Sequence, residues 1–250
     1  MFTLFFAGRE YAHKAIINGV NIQDFLEGHY LNALQHLAQR IHDAGNLEDT
    51  TVIGWENINE PSIGLVGYTD LNIVMSSQHL RKTTCPSAFQ CILLGEGVKT
   101  NVEVYNWTQF GPRKTGSKVI DPKGVKAWLS TDEYDKKYGF QRDSGWRLGQ
   151  CIWAQHGVWD PRACKLRRPQ YFLFNGNGEE ANNDTWLRDH FMLHFNRYSE
   201  AIRSIHNNAI MFLQPPVMYI PPILSNAELD KRLVFSPHYY DGLTLMLKKW

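Results

Sequence analysis

The feature of this sequence that most limits its fold is a short apolar run that ends in a polar tripeptide. Residues 52–55 have the composition of a buried parallel strand, and Asn59-Glu60-Pro61 follows them. Proline stops a strand because it has no backbone N–H to donate. Glu60 is therefore expected at the carboxyl end of a buried strand, where parallel α/β sheets place catalytic groups. The alternative is a strand-end turn in which Asn59 and Glu60 only cap backbone groups.

Hydrophobic periodicity predicts three helix–strand steps, which indicate a parallel α/β fold. The predicted order is helix 21–45, strand 52–55, helix 184–206, strand 209–213, short helix 226–232 and strand 233–236. Asn21 is a plausible cap for the first helix, Gly45 a stop for it, and Asp184 a cap for the second. Residues 62–183 lack sustained periodicity, and a connection of that length must carry structure of its own.

Charge and composition narrow the class of protein. The formal net charge of +1 gives no electrostatic reason to bind nucleic acid. No apolar run approaches the roughly 20 residues of a spanning helix, and residues 1–7 lack the basic leader of a signal peptide. The four cysteines match no zinc pattern and are expected to be free thiols. We therefore expect a cytoplasmic protein without metal or cofactor, with a membrane-peripheral or vacuolar location as the alternative.

Two strand ends carry polar side chains, Asn59-Glu60 on one and His238-Tyr239-Tyr240 on another. This pairing resembles glycoside hydrolase family 5, a family of retaining β-glycosidases built on the (β/α)8 barrel. Four blocks in order resemble, more narrowly, the fungal branch of steryl-β-glucosidases and glucosylceramidase-like enzymes. These blocks are residues 1–8, the lead-in 54–56 before Asn59-Glu60-Pro61, residues 151–160 and residues 236–242.

The resemblance implies a fold and roles for particular residues. The chain would be one incomplete catalytic domain, residues 1–250, covering about strands four to six of the TIM barrel with an insertion at residues 62–183. Glu60 would be the general acid/base, and Asn59 would hold the sugar 2-hydroxyl. His238 and Tyr240 would be the family's His-x-Tyr pair, which contacts the sugar and the nucleophile.

The aromatic-rich segment of the insertion is a candidate for the lipid side of the cleft. Trp153, His156 and Trp159 are expected near the rim of the sheet, where they would help to form a wall. The alternative is that these three side chains form a satellite core for the insertion.

The implied substrate is a glucosylated membrane lipid, either a steryl β-glucoside or a glucosylceramide. The family's nucleophilic glutamate belongs to a seventh strand, which the resemblance places after Trp250, so the chain by itself is expected not to be a competent hydrolase. One alternative substrate is a β-glucan. A second hypothesis, of another class, is a non-catalytic remnant or carbohydrate-binding piece. The sequence leaves the aglycone and the oligomeric state open.

Overall fold

The chain contains both helices and strands, and several of the strands follow one another directly. The computed structural model describes residues 1–75, 80–217, 219–229 and 232–248. The helices are α1 (Phe2–Tyr11), α2 (Ile22–Ala44), α3 (Ala88–Gly95), α4 (Glu133–Tyr138), α5 (Ile152–Gln155), α6 (Asn183–Trp186), α7 (Met192–Arg203), α8 (Asn226–Leu229) and α9 (Gly242–Leu247). The strands are β1 (Ile16–Ile17), β2 (Val20–Asn21), β3 (Gly54–Glu56), β4 (Thr83–Cys85), β5 (Thr100–Thr108), β6 (Gly111–Ile120), β7 (Trp159–Asp160), β8 (Lys165–Leu166), β9 (Ile210–Leu213) and β10 (Leu233–Phe235).

The chain divides into two compact units. The first comprises residues 1–11, 22–66 and 181–239, and the second comprises residues 12–21, 67–180 and 240–250. The second unit takes in most of the segment predicted as an insertion. That the whole chain is one catalytic domain stays a prediction.

A parallel sheet forms the centre of the first unit. Its strand order is β10-β9-β3, and both pairings are parallel. This confirms the predicted order of the three strands. Gly54 permits the close approach of β3 to β9, because a Cβ at that position would lie 2.2 Å from the carbonyl oxygen of Ile210.

The first strand begins later than predicted. Val52 is held in a turn in which its N–H donates to the carbonyl of Leu47 at 2.8 Å, so regular pairing starts only at Gly54. The neighbouring Ile53 is 51% exposed, so this run is less buried than its composition predicts.

Helices of the first unit pack on one another around an aromatic core. The first predicted helix is confirmed as α2, and Gly45 follows it with a left-handed φ of 69°. The second predicted helix is interrupted, since the π-helical turn Leu187–Phe191 separates α6 from α7. Its N-cap is Asn182 rather than Asp184, and the Asn182 side chain accepts from the backbone N–H groups of Asp184 and Thr185. The largest fully buried side chains of this unit are Phe6, Trp186, Phe191, Tyr198, Ile202, His206, Met211 and Leu213.

The short helix predicted at residues 226–232 is observed only as α8, and residues 230–231 lie outside the described residues. Among the described residues, no helix combines the length and apolar character needed to cross a bilayer. All four cysteines are free, as predicted.

The second unit has a sheet of its own. Strands β4, β5 and β6 form an antiparallel sheet in that order, with a bulge between Val104 and Tyr105. Ser87 caps α3 by a reciprocal capping box with Gln90. The core of this unit includes Leu71, Phe89, Val102, Trp153, Trp159 and Phe172.

Candidate active site

Glu60 lies in the loop that follows β3, as predicted. Its backbone has a φ of 47°, in the left-handed region that residues other than glycine seldom adopt. The backbone N–H of Glu60 donates to the side-chain oxygen Oε1 of Gln214 at 2.8 Å. Gln214 follows β9, so this bond joins the carboxyl ends of two neighbouring strands.

A chain of buried hydrogen bonds supports this junction. The backbone N–H of Gln214 donates to Oδ1 of Asn57 at 3.1 Å, and the hydroxyl of Tyr30 on α2 donates to the Asn57 carbonyl. Gln214 and Asn57 are 0% and 1% exposed. Since a backbone N–H can only donate, these contacts fix which side-chain atom of each amide is the oxygen.

Glu56, the last residue of β3, is held from both sides. Its backbone carbonyl accepts from the hydroxyl of Tyr198 on α7 at 2.9 Å. Its carboxylate accepts from the hydroxyl of Ser236 at 2.9 Å. Ser236 comes directly after β10, so Glu56 ties the two outer strands of the sheet together at their carboxyl ends.

The carboxylate of Glu60 lies within hydrogen-bonding distance of the imidazole of His238. Oε1 of Glu60 lies 3.0 Å from Nδ1 of His238, and each side chain is about a third exposed, at 30% and 32% respectively. An ionised Glu60 accepts this bond from Nδ1–H, whereas a protonated Glu60 donates it to Nδ1. The arrangement can therefore hold a proton on either partner while solvent or a ligand still reaches the carboxyl group.

The structure brings two of the predicted site residues into contact. Glu60 and His238 are in contact within the first unit, and Asn59 is an exposed neighbour of Glu60. Tyr240 belongs to the second unit and is 45% exposed. The roles predicted for these four side chains stay predictions.

The predicted aromatic wall is buried within the second unit. Trp153, His156 and Trp159 are 7%, 5% and 2% exposed. Trp153 packs edge-on against Phe172 with ring centroids 5.0 Å apart, and Trp159 packs against Phe89 at 5.9 Å. This packing favours the alternative of a satellite core, and a role in substrate binding stays a prediction.

Both ring nitrogens of His156 are occupied by protein groups. Nδ1 lies 2.7 Å from the Ile152 carbonyl, and Nε2 accepts from the backbone N–H of Lys14 at 3.0 Å. Burial lowers the pKa of His156, which keeps the imidazole neutral. These contacts are those of a structural histidine.

Trp55, in the same strand as the site, points to the other end of the sheet. Its indole nitrogen donates to Nδ1 of His206 at 3.2 Å, and Nε2 of His206 lies 2.9 Å from Asp49. His206 and Asp49 precede β9 and β3, so this cluster lies at the amino ends of the strands. This cluster is therefore separate from the one around Glu60.

Three polar residues of this region were not predicted. Gln214 and Asn57 form the buried junction beneath Glu60, and the clue to Gln214 is its place at the carboxyl end of an apolar run, directly before Pro215. Glu27 on α2 is only 4% exposed and accepts from His194 at 2.9 Å and from Arg197. Its position within an amphipathic helix gives no sequence signal for burial.

Among the described residues, no group of three or more His, Cys, Asp or Glu side chains could hold a metal ion.

Known fungal proteins are similar to this chain over its full length. No protein-family model matches the chain. Glucosylceramidase of Aspergillus fumigatus is 48% identical over 252 residues, which cover 100% of this chain and 33% of that protein. Ergosteryl-beta-glucosidase of Saccharomyces cerevisiae is 38% identical over 259 residues, with the same two shares.

A solved structure has the same fold over the full chain. The crystal structure of Cryptococcus neoformans sterylglucosidase 1 with tris matches at a TM-score of 0.92 and 44% identity, covering 100% of this chain and 35% of that one. The chain spans about a third of the length of these relatives. Throughout its length it is similar to fungal glycosidases of the steryl-glucosidase and glucosylceramidase type, and its mixed α/β fold matches part of a sterylglucosidase.

Proposed function

We propose that this chain is part of a retaining β-glucosidase that acts on glucosylated membrane lipids and that Glu60 is its general acid/base. The observation that carries the proposal is the contact between Glu60 and His238 at the carboxyl end of a parallel sheet. The similarity to proteins named glucosylceramidase and ergosteryl-beta-glucosidase supports a lipid glucoside as the substrate.

The proposal assigns the chain to glycoside hydrolase family 5. The sheet β10-β9-β3 would be strands four to six of a (β/α)8 barrel, and residues 1–250 would belong to one catalytic domain. The parallel order of three strands joined through helices supports this assignment, because such steps are the repeating unit of the barrel. A cytoplasmic location is part of the same proposal.

The chemistry requires Glu60 to act twice. As the glycosidic bond breaks, the carboxyl proton of Glu60 moves to the leaving oxygen, while a second carboxylate, about 5–5.5 Å from the first, attacks the anomeric carbon. Glu60 then takes a proton from the water that releases the sugar. The family resemblance assigns the second carboxylate to a position after Trp250. Asn59 would hold the sugar 2-hydroxyl, and His238 and Tyr240 would contact the sugar and the nucleophile.

The test replaces the matching third of the Aspergillus fumigatus glucosylceramidase with this chain. The chimera is assayed on a glucosylceramide, a steryl β-glucoside, a soluble β-glucan and an aryl glucoside with an activated leaving group. Glu60→Gln should slow the two lipid glucosides by about 10²–10⁴-fold, the usual contribution of a general acid. The first step with the activated aryl glucoside should suffer less, because its leaving group needs little protonation. Azide should rescue the second step in Glu60→Ala.

Glu56→Gln is the matched control, since Glu56 is a carboxylate of the same strand end that binds Ser236 and not His238. This variant should retain the lipid glucosidase activity of the chimera. Full activity of Glu60→Gln on both lipid glucosides would exclude Glu60 as the acid. If the unmodified chimera preferred the β-glucan, the proposed substrate would be a polysaccharide and not a lipid glucoside.

A further inference from the structure

We propose that Gln214 is a positioning residue for the reaction, because it fixes the strained backbone of Glu60 and thereby the direction of the acid/base carboxyl group. The inference rests on the proposed function, since the direction of this carboxyl group matters only if Glu60 transfers the proton. Gln214 itself does not contact the reacting atoms in this assignment.

The backbone of Glu60 needs an external restraint. A φ of 47° costs conformational energy in a residue with a Cβ, and such conformations persist only where the surrounding structure enforces them. One restraint at Glu60 is the bond from its N–H to Oε1 of Gln214, at 2.8 Å. The next residue is Pro61, which has no N–H and cannot provide a backbone donor of its own.

Gln214 is itself immobilised. It is fully buried, its N–H donates to Asn57, and its side-chain Nε2 donates to the carbonyl of Pro215 at 3.3 Å. Its side-chain amide therefore uses both of its functions, an acceptor toward Glu60 and a donor toward Pro215. An aliphatic residue would remove both functions, and an acid would keep the acceptor but introduce a charge next to Glu60.

Glu60 is thus held at two points. Gln214 holds the backbone, and His238 contacts the carboxylate at 3.0 Å. A carboxyl group restrained in this way is preorganised for proton transfer, and an error of about 1 Å in such placement can cost about 10²-fold in rate. The expected consequence of losing Gln214 is a slower proton transfer rather than weaker binding.

The experiment compares Gln214→Met with the unmodified chimera described above. Methionine keeps the length of the side chain but offers neither amide function. We expect kcat on the steryl β-glucoside to fall about 10- to 100-fold with KM changed by less than about threefold, and a smaller loss on the activated aryl glucoside. Amide hydrogen exchange at Glu60, measured on the same protein, should become faster because its acceptor is gone.

Trp55→Phe is the matched control. It removes a buried hydrogen bond from the same strand but at the amino end of the sheet, so it should affect both substrates equally. Gln214→Glu keeps an acceptor for the N–H of Glu60 but places a second carboxyl group beside it, so its readout is the exchange at Glu60, which should stay slow. It also provides the comparison if the methionine variant does not fold.

Equal losses on the two substrates in Gln214→Met, or exchange at Glu60 that is no faster in that variant than in the unmodified chimera, would overturn the positioning role. Fast exchange at Glu60 in Gln214→Glu would overturn it too, because that variant keeps the acceptor. Failure of the proposed function has a different signature, because Glu60→Gln would then leave the lipid glucosidase activity intact. The two ideas are therefore tested separately in one set of variants.

Discussion

Glu60 and His238 are 178 positions apart in the sequence, yet Oε1 of the first lies 3.0 Å from Nδ1 of the second. The contact exists because β3 and β10 lie on either side of β9 and run in the same direction. Their carboxyl ends therefore meet at one edge of the sheet, where the loops that follow them can touch.

The first prediction concerns this pair. His238→Phe in the chimera should lower kcat/KM for a β-glucoside by about 10-fold or more, because Glu60 loses a hydrogen bond that orients its carboxylate. His238→Gln, which can still donate a hydrogen bond, should recover part of the activity. Kinetics on the steryl glucoside check both variants, and an unaltered rate in His238→Phe would contradict a role for the contact.

The second prediction concerns the buried carboxylate of α2. Glu27→Ala should lower the free energy of unfolding by about 3–5 kcal/mol, because it leaves His194 and Arg197 without their buried partner. Asp24→Ala is the control on the same helix. Its pairs with Arg9 and, at 3.9 Å, with Arg197 are open to solvent, so each should contribute at most about 1 kcal/mol. Urea denaturation of each variant measures the difference, and equal effects would show that burial of Glu27 adds nothing.

The same carboxylate gives a third prediction, on pH. Burial alone would raise the pKa of Glu27, but the hydrogen bonds and charges of His194 and Arg197 outweigh it and hold the pKa below its usual value. A carboxyl group whose pKa falls on folding stabilises the folded state above the unfolded pKa, near 4.5. That contribution is lost as the pH falls through the lower, folded-state pKa. Glu27→Gln should therefore weaken the pH dependence of the free energy of unfolding at acid pH. An unchanged dependence would contradict the lowered pKa of Glu27.

The fourth prediction contrasts two glycines. Gly54→Ala should destabilise the first unit by about 1–3 kcal/mol, because the new Cβ would lie 2.2 Å from the backbone oxygen of Ile210. Gly28→Ala should stabilise it by about 0.5–1 kcal/mol, since Gly28 lies inside α2 with nothing within 4 Å of the added carbon. Thermal unfolding measures whether each substitution raises or lowers the stability. A tolerated Gly54→Ala would mean that β3 can move away from β9.

The fifth prediction separates the two interpretations of the aromatic segment. Trp153 is packed against Phe172, so Trp153→Ala should cost about 3–5 kcal/mol and reduce activity on lipid and soluble glucosides in parallel. A cleft wall would instead give a selective loss on the steryl glucoside. Comparing kcat/KM on the two substrates distinguishes a core from a wall.

The sequence predicts the first unit well because its signals are local. The helix α2 carries an apolar stripe and a stop at Gly45, and the three parallel strands are apolar runs that end at polar or proline residues. The placement of Glu60 and His238 at one edge of the sheet follows from the predicted parallel strand order. Gln214 does not follow from it, because a buried glutamine is recognised only by its partners.

The second unit was harder to predict for an identifiable reason. Strand β5 begins with alternating burial at Thr100 and Val102, but the bulge at Val104/Tyr105 shifts the next buried side chain to Tyr105. Because the two-residue alternation changes phase within nine residues, it cannot be detected as a strand pattern in the sequence. The core tryptophans Trp153 and Trp159 carry no sequence mark that distinguishes a core from a cleft.

The π-helical turn at Leu187–Phe191 has a consequence for how the length of this chain can vary. Such a turn accommodates one residue more than an α-helix of the same rise. Deleting one residue there would restore the regular α-helical ladder, and the rest of the helix would keep its orientation. Tyr198 would then stay on the face from which its hydroxyl reaches the carbonyl of Glu56 at 2.9 Å. A deletion between Met192 and Tyr198, where the helix is regular, would instead rotate Tyr198 by about 100° away from that face. This helix should therefore accept the loss of one residue in the π-helical turn but not in the stretch of α7 before Tyr198.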